Sequence, residues 1–369
     1  MRGVEVYHLI KGKLCLEAKL ADALKITRVI LNQSRMFKYN RLLVPIEYLV
    51  FLIISVGKKK ELITKYNAYK SNGQLPNRIA SLIIRANFIS HGKIRKQVIS
   101  NLDAAQPVKS SQFFDHAKLE AAIRDLTLNG YASIGTIDDP KILQGLNELK
   151  NLKVYSGSEF KRSNRKGVDL VETPDQKIDH IWYVQPETVL DNHSVQMLIG
   201  DSFWQRISNT YLGTTSRVSQ LRCWHSFPHE KGEILSPENW HLDAGDGLNF
   251  IKFFVLLSDV GDKSGPTAII PIPSEKLPRK FFTGRRYSDS EIVRLLDRTK
   301  LKEIKAMGPI GHVYCADTRL LHRGTPVEMG SRFILNWTVS VDSFGTAFGE
   351  KYPIKSGSLL EGRTDILDF

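Results

Sequence analysis

The stretch Trp240-His241-Leu242-Asp243, answered far downstream by Leu321-His322-Arg323-Gly324 and then by Ser331-Arg332-Phe333, decides how this sequence is read. His241 and Asp243 stand two apart, so on a β-strand both side chains leave the same face with Cα atoms about 6.6 Å apart, and both can reach one ion. His322 must then arrive from a strand remote in sequence. That happens when an antiparallel sheet curls round and brings late strands beside early ones, as in a barrel or jelly roll. Two imidazoles and one carboxylate fill one face of an octahedron and leave three positions open, the arrangement a non-haem ferrous ion uses; zinc is ordinarily satisfied at four ligands. Such a triplet arises by chance in a chain with ten His, so the surrounding text has to carry the reading.

That text has a definite order. Gln220 to Phe227 and Phe250 to Leu257 read as strands on either side of the Trp240 to Asp243 stretch. Ser264-Gly265-Pro266-Thr267-Ala268-Ile269-Ile270-Pro271 and Ser274-Glu275-Lys276 follow, then Gly308-Pro309-Ile310-Gly311-His312-Val313-Tyr314-Cys315. This order and these local patterns resemble the phytanoyl-CoA dioxygenase family of Fe(II)/2-oxoglutarate oxygenases. The resemblance runs from Phe113 to Phe369, and its specific part is Gln220 to Val341. It implies that His241, Asp243 and His322 hold Fe(II), and that Arg332 forms a salt bridge with the distal carboxylate of 2-oxoglutarate while O2 serves as co-substrate. A guanidinium fork suits that task, because it pairs bidentately with a carboxylate and stays charged when partly buried. Halogenating relatives replace the carboxylate ligand with Gly or Ala. This chain keeps Asp243, which favours hydroxylation or another oxidation begun at a C–H bond.

The strand that begins at Arg332 supports a cavity wall. Arg332, Ile334, Asn336 and Thr338 fall on one face and Phe333, Leu335, Trp337 and Val339 on the other, mixed and polar against wholly apolar. Alternation alone would equally suit a surface Arg at a strand start; His322, ten residues upstream, turns the reading towards a site. Asn249, Lys252, Asn336 and Thr338 are further candidates for lining the cavity, the last three also for contacting the co-substrate, and Trp240 either shapes the pocket or packs beneath it. His225 shares a face with Leu221, Cys223 and Phe227 and reads as a core histidine, whereas His229 sits in a Pro-containing loop and is expected to be exposed. His312 receives no chemistry, and Cys315 is expected to be a buried, inert thiol.

Charge divides the chain. Residues 1–110 contain 20 Lys and Arg against 6 Asp and Glu, so the formal charge of +13 belongs entirely to this third. The region reads as helical. Its apolar run Leu42 to Val56 contains Pro45 and Glu47 and is too short for the roughly 20 apolar residues of a membrane span. Two readings stand: a buried helix of a small helical domain, or a segment, residues 35–60, in peripheral contact with anionic lipid at the inner face of a membrane. No nucleic-acid motif is recognised, and nucleic acid is not an expected partner. Three widely spaced Cys and no convincing leader favour a reducing, cytoplasmic compartment. Residues 101–112 form a small, polar linker. Lys161 to Lys166 reads as a solvated basic loop or a contact for an anionic substrate. Arg279 to Lys305 carries nine Lys and Arg and an expected helix from Ser290 to Arg298, either an ordinary surface helix or a lid.

The expected protein is therefore α+β: a basic helical region over 1–110, then a double-stranded β-helix or jelly-roll oxygenase domain with flanking helices over 111–369. The expected function is Fe(II)- and 2-oxoglutarate-dependent hydroxylation of an aliphatic C–H in a small-molecule or lipid-linked, anionic substrate. The competing classes are a non-catalytic jelly-roll binding module anchored by its basic helices, and a cupin-like zinc or manganese isomerase or hydrolase. Arg332 separates the expected function from both.

Overall fold

The computed structural model describes residues 113–157, 170–229, 238–243, 249–272, 277–278, 281, 286–341 and 353–363. The basic region 1–110 with its segment 35–60, the linker 101–112 and the basic loop 161–166 lie outside the described residues. No helix among the described residues is long and apolar enough to cross a membrane.

The first element shows how local chemistry sets boundaries. In α1 (His116–Asn129) the side chain of Asp115 caps the helix by accepting from Lys118 N. Leu119, Ala122 and Leu126 recur at helical spacing and are the buried face. Gly130 ends the helix in the left-handed region at φ 66°, its N–H bonded to Leu126 O, and a Cβ there would also strike Leu320 at 2.1 Å. The chain continues through β1 (Tyr131–Thr136), α2 (Pro140–Asn147), β2 (Val154–Ser156), β3 (Ile181–Val184), α3 (Pro186–Asp191), α4 (His193–Ile199), α5 (Ser202–Leu212), β4 (Arg217–Ser226) and β5 (Phe250–Leu256). Then come β6 (Thr267–Ile269), α6 (Asp289–Thr299), β7 (Ile304–Ala306), β8 (His312–Ala316), β9 (His322–Gly324) and β10 (Arg332–Ser340).

Helices and antiparallel strands are mixed, as the sequence predicts. Seven strands form one sheet in the order β1-β8-β5-β10-β4-β3-β2, and three form another in the order β7-β6-β9. The last strand, β10, lies between β4 and β5, so late chain does come to rest beside early chain. The alternation along β10 sorts its two faces. Phe333, Leu335, Trp337 and Val339 join α1 and α5 in one core, where Trp204 meets Trp337 at 5.3 Å and Phe253 at 5.4 Å between ring centroids. Ile334 belongs to a second core, which it shares with Phe254, Leu256, Ile269, Ala306 and Tyr314. The large sheet is thus covered by helices on one face and by the small sheet on the other.

Tertiary pairing moves some expected boundaries. β4 starts at Arg217 rather than Gln220, because Val218 and Arg217 pair with Val339 and Ser340 on β10 after a bulge, and the ladder holds residues whose own pattern is ambiguous. α6 runs one residue past the expected helix at each end: Ser288 and Glu291 close a capping box at its start, and Lys300 ends it in the left-handed region with its N–H on Leu296 O.

His225 is half-buried and stacks on Phe333, with ring centroids 3.8 Å apart. Burial, aided by the charge of Lys150, pushes its imidazole down from 6.5 to about 4. The unfolded chain therefore takes up a proton near pH 6.5 that the folded protein refuses, and stability falls as the pH drops from 6.5 towards 4. His225→Phe, which keeps the stack, should flatten that decline in thermal melts; curves parallel to wild type would place the acid sensitivity elsewhere.

Candidate metal centre

The site begins with a backbone pairing. His241 N donates to His322 O at 2.9 Å and His322 N to His241 O at 3.0 Å, so the two residues are directly opposed in an antiparallel bridge. Opposed residues project to the same face with Cβ atoms about 5 Å apart, and here the ring centroids stand 4.2 Å apart. On its other edge β9 pairs with β6, His322 opposite Ile269, so the strand is held by the small sheet on one side and by the His241 bridge on the other. Asp243 lies two residues beyond His241, and its own N–H donates to Thr318 O at 2.9 Å, which turns the carboxylate back over the pair.

The three side chains converge. Asp243 Oδ1 is 3.5 Å from His241 Nε2, and Asp243 Oδ2 is 3.4 Å from His322 Nε2. Two ligands each about 2.1 Å from one ion lie roughly 3.0–3.5 Å apart, so the spacing fits a shared metal. Each imidazole is also held in the right tautomer: His241 Nδ1 bonds Asn239 O at 2.7 Å and His322 Nδ1 bonds Leu320 O at 3.0 Å. A carbonyl can only accept, so each Nδ1 carries the proton and each Nε2 presents a lone pair. Burial and the neighbouring His322 push His241 down to about 4 despite the pull of Asp243, which keeps the ring neutral at pH 7. Burial alone would raise the Asp243 carboxyl, but Lys252 and His322 hold it well below the usual carboxylate range. For His241 and Asp243, a neutral imidazole and an ionised carboxylate are the states in which such groups bind a divalent ion.

Lys252 lies on the cavity side of β5. The register sets Lys252 opposite Thr338, on the polar face of β10, and its Nζ sits 2.7 Å from Asp243 Oδ2. It therefore meets the ligand carboxylate itself. Asn336 and Thr338 share the polar face, yet their polar atoms are bonded inside the sheet. Asn336 Nδ2 donates to Phe253 O at 2.8 Å, and the Thr338 hydroxyl lies 3.3 Å from the Gln220 amide. Asn249 is buried beside Arg319 and donates to Leu212 O.

Arg332 is buried at the opposite end of the polar face. Its guanidinium donates to Gly265 O through Nη1 and to Ser226 Oγ at 3.3 Å through Nη2, while Nε has no hydrogen-bond partner among the described residues. Among the described residues it forms no ion pair within 4 Å. Gly324 makes room for it, since a Cβ there would stand 3.1 Å from Nη2 and 3.3 Å from Nη1. Gly324 follows His322 by two positions on β9, so the cation sits one same-face step, about 6.6 Å, along the strand from a metal-ligand position.

Some of these features are absent from the sequence reading. Gly324 could have been found, because a glycine two positions after His322 on the same strand face is where a bulky group must approach. Trp240 packs and anchors at once: its indole N–H donates to Asp289 Oδ1 at 3.0 Å, and the Arg323 guanidinium lies 4.7 Å over its ring. Asp289 thereby fastens the start of α6 to the ligand-bearing segment. Arg286 is exposed, and its charge acts on both Asp243 and His241. Arg285 lies outside the described residues. His229 was expected to be exposed, and this is corrected: its side chain is 11 % exposed, because its ring stacks on His180 and its Nε2 faces Glu238. His312 bonds the Ser133 hydroxyl at 3.2 Å, and burial pushes up the thiols of Cys223 and Cys315, which leaves both inert.

Removing Lys252 leaves Asp243 without its nearest cation in a largely buried setting, a loss of about 3–5 kcal/mol. Lys252→Met should accordingly melt well below wild type when metal-free, and Mn(II) should recover most of the difference by supplying the missing positive charge. An equal deficit with and without Mn(II) would show that the lysine stabilises the fold independently of the site.

No protein-family model matches the sequence, and no curated protein does. Solved structures similar to it include the non-heme alpha ketoglutarate dependent epimerase SnoN from nogalamycin biosynthesis, at 15 % identity over 68 % of this chain and 98 % of that one, with a TM-score of 0.44. EctD from S. alaskensis, crystallised with 2-oxoglutarate and 5-hydroxyectoine, is 16 % identical over 69 % of this chain and 89 % of its own, with a TM-score of 0.41. AviO1 from Streptomyces viridochromogenes Tue57 is 16 % identical over 63 % of this chain and 97 % of its own, with a TM-score of 0.40. At such values the chemistry rests on the site's own residues.

Proposed function

We propose that the protein is an Fe(II)- and 2-oxoglutarate-dependent dioxygenase that hydroxylates an aliphatic C–H of a small or lipid-linked, anionic substrate. On this reading its two facing antiparallel sheets form a double-stranded β-helix of the phytanoyl-CoA dioxygenase type. The observation that carries the proposal is Arg332, a buried guanidinium with an unpartnered Nε and no ion pair among the described residues, one same-face step along β9 from His322. A buried cation of this kind calls for an anion, and a short dicarboxylate reaching from the triad would supply it. A zinc hydrolase or a plain binding module has no use for such a group at that place.

His241, Asp243 and His322 would hold the iron through two imidazole nitrogens and a carboxylate oxygen. A ferrous ion bound there supplies activation of O2 coupled to decarboxylation of 2-oxoglutarate to succinate. The residues of the chain do the rest. Arg332 grips the distal carboxylate with two parallel N–H donors, and Gly324 keeps the approach open. The Nδ1 bonds to Asn239 O and Leu320 O hold both rings in place, and Lys252 orients Asp243 through one oxygen while the other stays available. Phe254, Leu256, Ile269 and Ile334 line the space between the sheets with apolar surface and keep bulk water out. Arg286, exposed and acting on the triad from outside, supports the anionic character of the substrate. The basic segment 35–60 would bring the site to a lipid-linked one. Retention of Asp243 supports hydroxylation rather than halogenation.

Anaerobic addition of Fe(II) and 2-oxoglutarate should produce a visible charge-transfer band, and Arg332→Ala should raise the Kd read from that band roughly thirty-fold, about 2 kcal/mol. Arg332→Lys should recover only part of it, since the charge returns without the fork. An unchanged Kd in the alanine variant would reject the assignment of Arg332.

A further inference from the structure

A second constellation of the same donor types stands apart from the triad. His180 precedes β3, His229 follows β4, and Glu238 leads into the Trp240–His241 segment; their ligand atoms lie within 4.8 Å of one another. Glu238 offers a different oxygen to each ring, Oε1 at 3.9 Å from His180 Nε2 and Oε2 at 3.3 Å from His229 Nε2. His180 and Glu238 are each 6 % exposed. We infer that His180, His229 and Glu238 form a second divalent-metal site, of zinc-like preference, that shares no ligand with the His241, Asp243 and His322 centre.

Geometry and donor chemistry carry the inference. The two rings stack with centroids 4.1 Å apart and planes 18° from parallel, and the Glu238 carboxylate reaches the Nε2 atom of each. Two imidazoles with one glutamate plus a water would complete the four-coordinate shell that zinc takes. Tetrahedral ligands about 2.1 Å from zinc lie roughly 3.4 Å apart, between the two distances to Glu238. Loading requires the rings to splay from their stack, a rotation about the sp³–sp² torsion of each histidine, which is soft. Asp179 braces this end: its carboxylate accepts from His180 N at 2.8 Å and Ile181 N at 3.2 Å, and it lies 3.9 Å from His180 Nδ1. The backbone adds to it, with Phe227 N donating to His180 O at 2.8 Å.

The placement gives the ion a task. His229 and Glu238 bracket residues 230–237 in sequence, and Glu238 stands three positions before His241. An ion here would tie the approach to the first iron ligand onto β3 and β4. It would also cancel the negative charge that Glu238 projects onto Arg332, which leaves that guanidinium to recruit an external anion.

Metal-free full-length protein dialysed against Zn(II) and assayed by mass spectrometry for bound metal tests this directly. Wild type should hold two equivalents, the His241→Ala, Asp243→Ala double variant one, and the same variant with His229→Ala none. Glu238→Gln, which keeps the side-chain shape, should lose the same equivalent with an unchanged circular dichroism spectrum, so that a folding defect in the histidine variant is told apart from loss of a ligand. One equivalent in wild type and none in the double variant would overturn the second site. So would an equivalent in the double variant that survives both His229→Ala and Glu238→Gln. If the triad were wrong and the second site right, wild type would hold one equivalent and His229→Ala none, so the two claims fail separately.

Discussion

Two backbone hydrogen bonds, exchanged between His241 and His322 at 2.9 and 3.0 Å, set the geometry on which the rest depends. Each contributes only about 1 kcal/mol, so they do not hold the fold together. Their importance is register. Side chains alternate along a strand, and a slip of one residue would send one imidazole to the far face and dissolve the triad. What prevents the slip is burial around the pair. β9 is fastened to β6 on one side, and Phe254, Leu256, Ile269 and Ile334 fill the space between the sheets behind it.

Polar groups gathered in an interior are costly, and here the cost is offset locally. Lys252 neutralises Asp243, backbone carbonyls satisfy the two Nδ1 atoms, and the sheet absorbs the donors of Asn336 and Thr338. Arg332 keeps a buried Nε that has no hydrogen-bond partner among the described residues, and an unsatisfied buried group is often where a ligand completes the structure. The helix-covered face of the large sheet stabilises the molecule as a whole. Truncating Trp204 or Trp337, both fully buried and in contact, would cost about 3–5 kcal/mol each.

The sequence made the skeleton of this arrangement legible, and for physical reasons. Period-two alternation in β10 is strong because both its faces are buried against different partners, apolar helices on one and the polar cavity on the other. The stop of α1 at Gly130 follows from local chemistry, because glycine adopts the left-handed turn without strain. The spacing of His241 and Asp243 states their common face outright. Other features are properties of pairing. Whether Lys252 points inward depends on its being opposite Thr338, and the start of β4 at Arg217 depends on a bulge in its ladder with β10. His229 misled because a Pro-containing loop suggests solvent, whereas its ring stacks on His180 and faces Glu238, neither of which its neighbours in sequence disclose.

The central claim, that three side chains from distant strands share one ion, is tested most directly by anomalous diffraction from crystals soaked in Mn(II). A peak about 2.1–2.3 Å from His241 Nε2, an Asp243 carboxylate oxygen and His322 Nε2 is the expected result. An anomalous map that leaves the space among these atoms empty at saturating Mn(II), or a peak that touches His241 and Asp243 while His322 points away, would contradict it.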